Sequence, residues 1–536
     1  MITGTGKLPR AIRLLVLALA FAGSLAFTTS ASARVLRVAQ SHPPGTAAAQ
    51  FNSIQAAVDA ARPGDWILIA PGDYHERGDY TTHQPTDEAG AGVLITTPNI
   101  HLRGLDRNGV VVDGTKPGSP KCSSAAGNQD FGPNGLGRNG VEVFKADGVT
   151  VENITACNFL DGSGGGGNQI WFNGGDGSGQ VGMGPFGGDF LSATSTFYGG
   201  SGAPAGTYGI FTSNSRGPGV IDHSYASNMN DASYYIGACP DCNQVLTHAH
   251  AQGSALGYSG TNSGGHLVIE NSEWDLNNTG IVTNSQNNDD APSPQVGLCP
   301  GSATQSCTIF RNNFIHNNNN PNVPSAGSAS LGPPGTGIVI SGGRFDTVTQ
   351  NQITDNGAWG VLLTSFPDDT RPPLDTPSHC QGGILNFEIV PGLSIACYYD
   401  DWGNEVSNNS LSGNGFFGNE TNGDLAEISQ PHDPGNCWHG NFHPDGSPVT
   451  SAPANLQVTH ATCGVPNQGA SLFDPLAAQV ICATQAFGPC PADTPGMMYP
   501  RPTNVQMLPL PAQPSMPSPC AGVPNTPWCK NPHGAG

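Results

Sequence analysis

The spacing of apolar residues in 51–76 (FNSIQAAVDAARPGDWILIAPGDYHE) predicts one short helix followed by a strand. The helical stripe has the i, i+3, i+4, i+7 spacing of an amphipathic helix and consists of Ile54, Ala57, Val58 and Ala61. Asn52 and Gln55 have the spacing of a capping box, and the Pro-Gly pair that follows ends the helix. The WILI segment is a short apolar strand, and the PGD segment turns the chain.

A second pattern, a residue that is mostly apolar before a polar pair, recurs through the middle of the chain. Its copies are VEN at 151–153, IDH at 221–223, LTH at 246–248, IEN at 269–271, FRN at 310–312, TQN at 349–351 and SNN at 407–409. The step is 25 residues from His223 to His248 and 23 from His248 to Asn271. We therefore predict a repeat of a little over twenty residues. The longer steps place inserted loops at 284–306, 318–335 and 366–401.

A repeat this short, built of strands, cannot bury a face by itself, so its copies must stack into a β-solenoid with coils about 4.8 Å apart. Its third position is mostly Asn, and stacked Asn amides satisfy the backbone groups that a turn leaves unpaired. We expect one internal turn line to contain Asn153, Asn271, Asn312, Asn351 and Asn409. The predicted helix at 53–61 then covers the open N-terminal end of the sheets.

The segments SIQAAVDAARPGDWILIAPGDYHE and NIHLRGLDRNGVVVDG resemble the opening of right-handed parallel β-helix proteins of the pectin-lyase-like class. The resemblance covers roughly residues 50–425 and implies an all-β, right-handed parallel β-helix. The class includes pectinesterases, pectate lyases and polysaccharide epimerases. The paired-Asp segments and the Arg-Trp motif of the pectinesterases are missing here, which argues against esterase activity.

The N-terminal 33 residues have the pattern of a signal peptide, so we expect a secreted protein. Lys7, Arg10 and Arg13 precede an apolar run at 14–27, and Ala31-Ser32-Ala33 fits a cleavage site. A membrane anchor is the alternative, but the run is short for a membrane span.

The rest of the chain divides by composition into four predicted parts. Residues 34–49 are a linker, 50–430 the β-helix, and 431–498 a Cys-rich cap region in which 474–487 is a short helix that packs on the last coil. Residues 499–536 are so rich in proline that we predict disorder.

Charge and composition favour a polysaccharide partner. The net charge of −21 becomes −24 without the signal peptide, which carries three positive charges, and such a surface repels nucleic acid. Charged residues make up only 11% of the chain, against about 25% in ordinary domains, so the polar surface is mostly neutral. Neutral hydrogen-bonding groups suit sugars, whereas an anionic polymer would need a cation such as Ca²⁺. We expect a monomer that does not insert into a membrane.

The 14 cysteines are an even number, which in an exported chain predicts disulfides. Near neighbours in sequence are Cys239/Cys242, Cys299/Cys307, Cys380/Cys397, Cys482/Cys490 and Cys520/Cys529. We predict that the Cys299–Cys307 and Cys380–Cys397 bridges fix two of the inserted loops. The CPDC segment at 239–242 is read as a disulfide, with a redox or metal motif as the alternative.

Candidate catalytic residues lie in the column just before the Asn line, which strand alternation places on the outer face. Asp222 and Glu270 are two coils apart, so their backbones should lie about 9.6 Å apart, which suits inverting glycoside hydrolysis. Arg311 follows one coil later and also suits β-elimination. The alternative is that Glu270 and Arg311 form a plain cross-strand ion pair.

Other candidates are less specific. His248 and His250 would share a strand face as metal ligands or as an acid and a base, although His248 also fits a structural place in the Asn column. Tyr258, Trp274 and Trp359 are candidate sugar platforms, or aromatic residues that fill turns. Asp289 and Asp290 form a candidate Ca²⁺ site, or a solvated loop.

The sequence therefore predicts a secreted protein that binds or processes a polysaccharide, with lyase, hydrolase or epimerase chemistry left open. The competing hypothesis is a non-catalytic surface or matrix protein, or an adhesin, built on the same scaffold.

Overall fold

Three parallel sheets confirm the right-handed parallel β-helix in the computed structural model. The structure describes residues 33–40, 48–78, 88–200, 204–285, 307–327, 332–368, 384–385, 396–470, 475–484 and 498–530. The coils inside the stack contribute one strand to each sheet, and each pairs in register with the coils before and after it. The fold is thus a stack in which one residue position recurs as a column along the axis.

Sheet 1 has twelve strands and includes most of the repeat copies found in the sequence. Its strands are Val35–Val38, Trp66–Ile69, His101–Gly104, Val149–Glu152, Phe186–Asp189, Gly219–Asp222, Gln244–Thr247, Leu267–Glu270, Ile309–Arg311, Thr347–Thr349, Glu405–Ser407 and Cys437–His439. The first strand lies in the predicted linker, so that prediction is wrong. Val35–Val38 alternates half-buried and buried residues and pairs with Trp66–Ile69.

Sheet 2 has ten short strands, and sheet 3 has eleven longer ones. Sheet 2 consists of Gly72–Tyr74, Val110–Asp113, Thr155–Cys157, Ser192–Thr194, Tyr225–Ser227, His250–Gln252, Glu273–Asp275, Phe314–His316, Gln352–Thr354 and Ser410–Ser412. Sheet 3 consists of Gly90–Ile95, Arg138–Phe144, Asn168–Asn173, Tyr208–Ser213, Ala232–Gly237, Leu256–Thr261, Thr279–Asn284, Thr336–Ser341, Trp359–Thr364, Gly423–Ile428 and Ser451–Ala452. Two small antiparallel sheets, Asp161–Gly162 with Gly165–Gly166 and Phe366–Asp368 with Ile384–Leu385 and Ala396–Tyr399, lie in inserted segments.

Helices cover both ends and one side of the stack. Helix α1 (Ile54–Ala60) buries Ile54, Ala57 and Val58 against the first coils, as predicted. Its N-cap is Ser53, whose hydroxyl accepts from the N–H of Ala56, so the predicted capping box at Asn52 is wrong. Helix α2 (Leu456–Thr459) lies at the other end, with Leu456 in the main core.

Helix α3 (Pro475–Thr484) lies within the predicted 474–487, but it packs on a side of the stack. Its residues Leu476 and Ala483 join a cluster on the outer face of sheet 3, with Leu362, Ala426 and Tyr499. The α2 helix, and not α3, is therefore the C-terminal lid. None of the helices in the described residues is long and apolar enough to cross a membrane.

Amide ladders run along the corners of the coils. At the corner between sheets 1 and 2, Asn313 donates to Oδ1 of Asn351, Asn351 to Oδ1 of Asn409, and Asn409 to Oδ1 of Asn441, each through its backbone N–H and its side-chain Nδ2. Gln457 of α2 accepts the last pair and ends the ladder. All four asparagines are buried, so each amide satisfies groups that water cannot reach.

The predicted Asn column combined two neighbouring positions. Asn153, Asn271 and Asn312 occupy the position with left-handed backbone, whereas Asn351 and Asn409 stand one residue later, in the ladder itself. Further ladders follow the other two corners, through Asn277, Asn318, Asn356 and Asn414, and through Asp346, Asn404 and Asn436. In one coil the three corners fall five residues apart, at Asn404, Asn409 and Asn414.

The Pro-rich tail is ordered over 498–530, so the prediction of disorder is wrong there. It runs back along the stack and crosses sheet 2 on its way to the first coils. Asn228 exchanges two hydrogen bonds with the backbone of Leu508, and Asn108 exchanges two with Gln513. Proline is already restricted in φ and lacks an N–H, so a proline-rich segment loses little entropy and needs few partners when it binds.

Two of the predicted disulfides are present, and two others were not predicted. Cys239 is bonded to Cys242, and Cys520 to Cys529. The others are Cys122–Cys157 and Cys437–Cys463. Cys307 and Cys482 are also disulfide-bonded. Cys299, Cys380 and Cys490 lie outside the described residues, as does the side chain of Cys397, so these three pairings remain predictions.

The ladder predicts that Asn351→Ala costs about 2–4 kcal/mol, because it leaves the buried N–H of Asn313 and the carbonyl of Phe310 unpaired. Gln352→Ala, at the exposed neighbouring position, is the control and should change little. Urea denaturation followed by circular dichroism measures both. Equal urea midpoints for the two variants would contradict a contribution of the Asn ladder to the free energy of unfolding.

The tail predicts a separate outcome for Val523, which is 1% exposed and packs with Leu68 of the second strand of sheet 1. Val523→Asp should release the end of the tail, since it replaces about 1.5–3 kcal/mol of burial by a charge. Hydrogen exchange should rise at 66–69 and stay unchanged at 352–354. Val458→Asp, at a residue 77% exposed, is the matched control. Unchanged exchange at 66–69 in Val523→Asp would contradict this docking.

Candidate functional site

Sheet 1 presents the charged outer column that the sequence predicted, with one residue added. Register pairing places Glu152, Asp189, Asp222, Thr247, Glu270 and Arg311 side by side on successive strands. Asp222 and Glu270 are indeed two coils apart. The column then continues through Thr349 and Ser407. The middle residues of the TQN and SNN copies, Gln350 and Asn408, which the alignment placed in this column, therefore lie one residue away from it.

Glu270 and Arg311 form the cross-strand ion pair that was the simpler alternative. Arg311 Nε lies 2.6 Å from Glu270 Oε2. Each charge is already neutralised by the other, which leaves neither as a free acid, base or electrophile. The Asp222–Glu270 pair is therefore not the best catalytic pair in this column.

Asp222 is instead the centre of a half-exposed cluster with two imidazoles. Its Oδ1 lies 2.8 Å from Nδ1 of His223 and 2.9 Å from Nδ1 of His248. Both histidines follow a sheet 1 strand and have positive φ, which turns their side chains outward beside the carboxylate. The rings stack on each other with centroids 4.6 Å apart, and Phe190 stacks on His223 at 4.8 Å.

Asp189, on the strand before Asp222, completes the cluster and was missed by sequence reasoning. Burial raises the pKa of Asp189 to about 6, and the neighbouring charge of Asp222 adds to this effect. The two residues are register partners, so their backbones lie about 4.8 Å apart. A carboxyl group that keeps its proton up to about pH 6 beside a hydrogen-bonded carboxylate is an arrangement suited to acid–base chemistry.

The signal for Asp189 was weak because its strand, FGGD, is followed by Phe190 instead of Asn or His. The third position of the three-residue repeat is Asn or His in the other copies, and it is the position that marks a copy. The aromatic ring nevertheless takes the same left-handed turn position and the same place in the stack. Alignment on the strand register, which the sequence does not show directly, is what reveals Asp189.

His248 and His250 do not share a site. His248 follows the sheet 1 strand Gln244–Thr247 and contacts Asp222, whereas His250 begins a sheet 2 strand and lies 2.8 Å from Asp275 Oδ1. The prediction of a joint role for the two histidines is therefore wrong. Asp289 and Asp290, the predicted Ca²⁺ ligands, lie outside the described residues.

The three predicted sugar platforms are all core residues. Tyr258, Trp274 and Trp359 are fully buried, so none of them presents a ring face to a ligand. Trp274 points inward on sheet 2, where the two preceding coils have the small residues Ala226 and Ala251, and its ring fills the space. Tyr258, on sheet 3, packs edge to face against this ring with centroids 6.1 Å apart.

The outer face of sheet 3 holds an aromatic row that the sequence analysis did not single out. Trp171 and Phe211 stack at 5.0 Å, and Tyr208 and Tyr235 pack against Phe211. Phe211 and Tyr208 are partly exposed. Tyr208 donates to Asp231, and burial raises the pKa of that carboxyl group to about 7.

Comparison with known proteins adds little to this geometry. No family model and no curated protein matches the chain. Among solved structures, it is similar to the A-module of a mannuronan C-5 epimerase of Azotobacter vinelandii, with 14% identity and a TM-score of 0.32 over 74% of this chain and 93% of that one. An alginate lyase of a Paenibacillus species gives 14% identity and a TM-score of 0.30 over 62% and 91%.

A tailspike protein of an E. coli bacteriophage, solved in complex with a pentasaccharide, gives 11% identity and a TM-score of 0.43 over 73% of this chain and 57% of that one. These likenesses are distant, and the identification of the fold rests on the strand pairing described above.

The raised pKa of Asp189 predicts a pH-dependent effect of Asp189→Asn. The folded state keeps this proton up to about pH 6, whereas the unfolded chain releases it near pH 4. The free energy of unfolding therefore decreases as the pH rises from about 4 to about 6. Asn never ionises and avoids this loss. At pH 7.5 the variant should be more stable by about 1 kcal/mol, a value reduced for screening because the side chain is 34% exposed.

At pH 3.5 that gain should vanish. Urea midpoints of both proteins at the two pH values measure the effect. A gain of equal size at both values would contradict the assignment of a raised pKa to Asp189.

Proposed function

We propose that this protein is secreted, that it binds an extracellular polysaccharide of mainly neutral sugars, and that it hydrolyses glycosidic bonds at the Asp189–Asp222 pair. The observation that carries the proposal is the raised pKa of Asp189 beside a carboxylate held by two imidazoles. The signal-peptide pattern and four disulfides support an extracellular location.

The two carboxyl groups suit different roles. Asp189, protonated below about pH 6, donates its proton to the oxygen of the leaving sugar. Asp222 Oδ1 accepts hydrogen bonds from His223 and His248, while Asp222 Oδ2 makes no hydrogen bond within the described residues. Oδ2 therefore acts as the nucleophile. Retaining glycosidases keep their carboxyl groups about 5–5.5 Å apart, close to the spacing of adjacent strands. Retention of configuration follows from this role.

The neutral-sugar assignment rests on charge. A chain with a net charge of −21 disfavours an anionic polymer, and the carboxylates of the site would repel a uronate directly. The two end rings of the stack, Phe190 and His248, each have one face that His223 does not cover, and such a face beside the acids suits the apolar face of a sugar.

Binding without catalysis is the second candidate function, and the aromatic row of sheet 3 favours it. Trp171, Phe211, Tyr208 and Tyr235 could hold a sugar chain along the axis, on a different sheet from the Asp189 cluster but in the same coils. In that case the stacked acids and imidazoles of sheet 1 only stabilise a turn line.

The test is hydrolysis of a panel of neutral and uronate-containing polysaccharides by the chain without residues 1–33, scored by new reducing ends. Asp189→Asn and Asp222→Asn should each lower kcat at least about 100-fold, since acid–base and nucleophilic groups contribute that much or more. Activity of the unaltered protein should fall above about pH 6, as Asp189 ionises.

Asp241→Asn is the matched control, because Asp241 also pairs with an exposed histidine, His266, at 2.9 Å. It should keep full activity. If the protein binds a polysaccharide of the panel but releases no product from any polysaccharide tested, the result would contradict hydrolysis and favour the binding function. Full activity of Asp222→Asn would refute this site even if the protein is a hydrolase.

A further inference from the structure

The outer face of sheet 2 holds a second histidine–carboxylate cluster, separate from the Asp189–Asp222 site. Glu273 and Asp275 lie two residues apart on one strand, so their side chains point to the same face. His250 is the register partner of Glu273 on the preceding strand. Its Nε2 lies 2.8 Å from Asp275 Oδ1 and 3.9 Å from Glu273 Oε2.

One donor atom from each of these three residues lies within 4.8 Å of the other two. An imidazole nitrogen and carboxylate oxygens are ligand types that Zn²⁺ accepts, and three ligands from one side leave the remaining position to water, as in open zinc sites. The two carboxylate charges also balance a divalent ion. A hard ion such as Ca²⁺ would prefer more oxygen ligands and no imidazole.

Neighbouring side chains hold the ligands in place. His316, on the following strand, lies 3.1 Å from Glu273 Oε1, on the oxygen that does not face His250. Gln252 donates to Asp275 Oδ2 at 3.0 Å, again leaving Oδ1 toward His250. Each carboxylate therefore has one oxygen held by a neighbour and one directed at the same place. Such supporting contacts orient the ligands of metal sites.

The other clusters of this kind in the described residues are poor ligand sets by comparison. The imidazoles of His223 and His248 are nearly parallel, 16° apart and stacked at 4.6 Å. A bound metal lies in the plane of each imidazole, so one ion cannot serve both rings as they stand. Two further clusters depend on cysteines that are already in disulfides and provide no thiolate.

The last cluster joins Asp73, His75 and Asp113. Both oxygens of Asp113 accept backbone N–H groups, from Thr115 at 2.8 Å and from Cys122 at 2.6 Å. This carboxylate is therefore committed to its own loop. The His250 cluster is the one in which the donor atoms converge on a solvent-accessible point.

We propose that His250, Glu273 and Asp275 bind one Zn²⁺ ion on sheet 2, with His316 as a positioning residue. The inner ligand is Asp275, which is buried, and the outer one is Glu273, whose side chain is 44% exposed, so an ion can enter from solvent. The site does not depend on the proposed hydrolase activity, and it stands on a different sheet.

The test is titration of the metal-free full-length protein with ZnCl₂, followed by isothermal calorimetry and by elemental analysis after gel filtration. We expect one Zn²⁺ per chain. His250→Ala and Asp275→Asn should abolish this binding, and His316→Ala should weaken it about 10–100-fold. CaCl₂ should not compete. His266→Ala, which removes an exposed histidine that pairs with Asp241 alone, should bind Zn²⁺ as the unaltered protein does.

Circular dichroism of each variant shows whether it is folded, and Zn²⁺ should raise the thermal midpoint of the unaltered protein but not of His250→Ala. Absence of stoichiometric Zn²⁺ from the folded protein would overturn the proposal and leave an ion-pair network. Equal Zn²⁺ binding by His250→Ala would also overturn it, as would binding lost equally in His266→Ala.

Discussion

In-register stacking of parallel coils is the constraint on which the rest of this structure depends. Each turn between sheets leaves backbone groups that no strand can pair, and the corner residues are buried. Buried amides solve this problem at all three corners, because an Asn side chain both accepts from the coil that precedes it and donates to the coil that follows. Once the corners are fixed, the positions between them are fixed as well.

That constraint also builds the functional surfaces. A column in a stacked coil brings together residues that lie 23 or more positions apart in sequence, at the spacing of adjacent strands. Asp189 and Asp222 meet in this way on sheet 1, and His250 meets Glu273 in the same way on sheet 2. No long loop has to be ordered to place either set. The charged groups stand outward because the inner columns are filled by apolar residues.

The segments that pack on the outside of the coils determine which outer sheet faces stay exposed to solvent. Helix α3 and Tyr499 cover the C-terminal part of sheet 3, and the tail covers part of sheet 2 near Asn228 and the first strands of sheet 1. Gly253, beside the tail, has room for Leu508 because it lacks a side chain. The Asp189–Asp222 cluster and the His250 cluster keep exposed side chains.

The sequence predicted what depends on short-range patterns and missed what depends on register. The lid helix, the repeat and the charged column follow from spacing alone. The five-residue spacing of Asn404, Asn409 and Asn414 is also present in the sequence, but an alignment on the strand ends does not show it. Asp189 could not be found, because Phe190 replaces the expected polar residue. The burial of Tyr258 and Trp274 depends on the size of partners in neighbouring coils, which a single strand does not show.

The proposed chemistry of this protein depends most directly on the protonation of Asp189. Infrared spectroscopy of the unaltered protein minus Asp189→Asn isolates the protonated-carboxyl band of this one residue across a pH series. We expect this band to disappear with a midpoint at about pH 6, and with a lower midpoint in the Asp222→Asn background, where one neighbouring charge is removed. A midpoint near the ordinary value of about 3.9, unchanged by Asp222→Asn, would contradict the proposed chemistry.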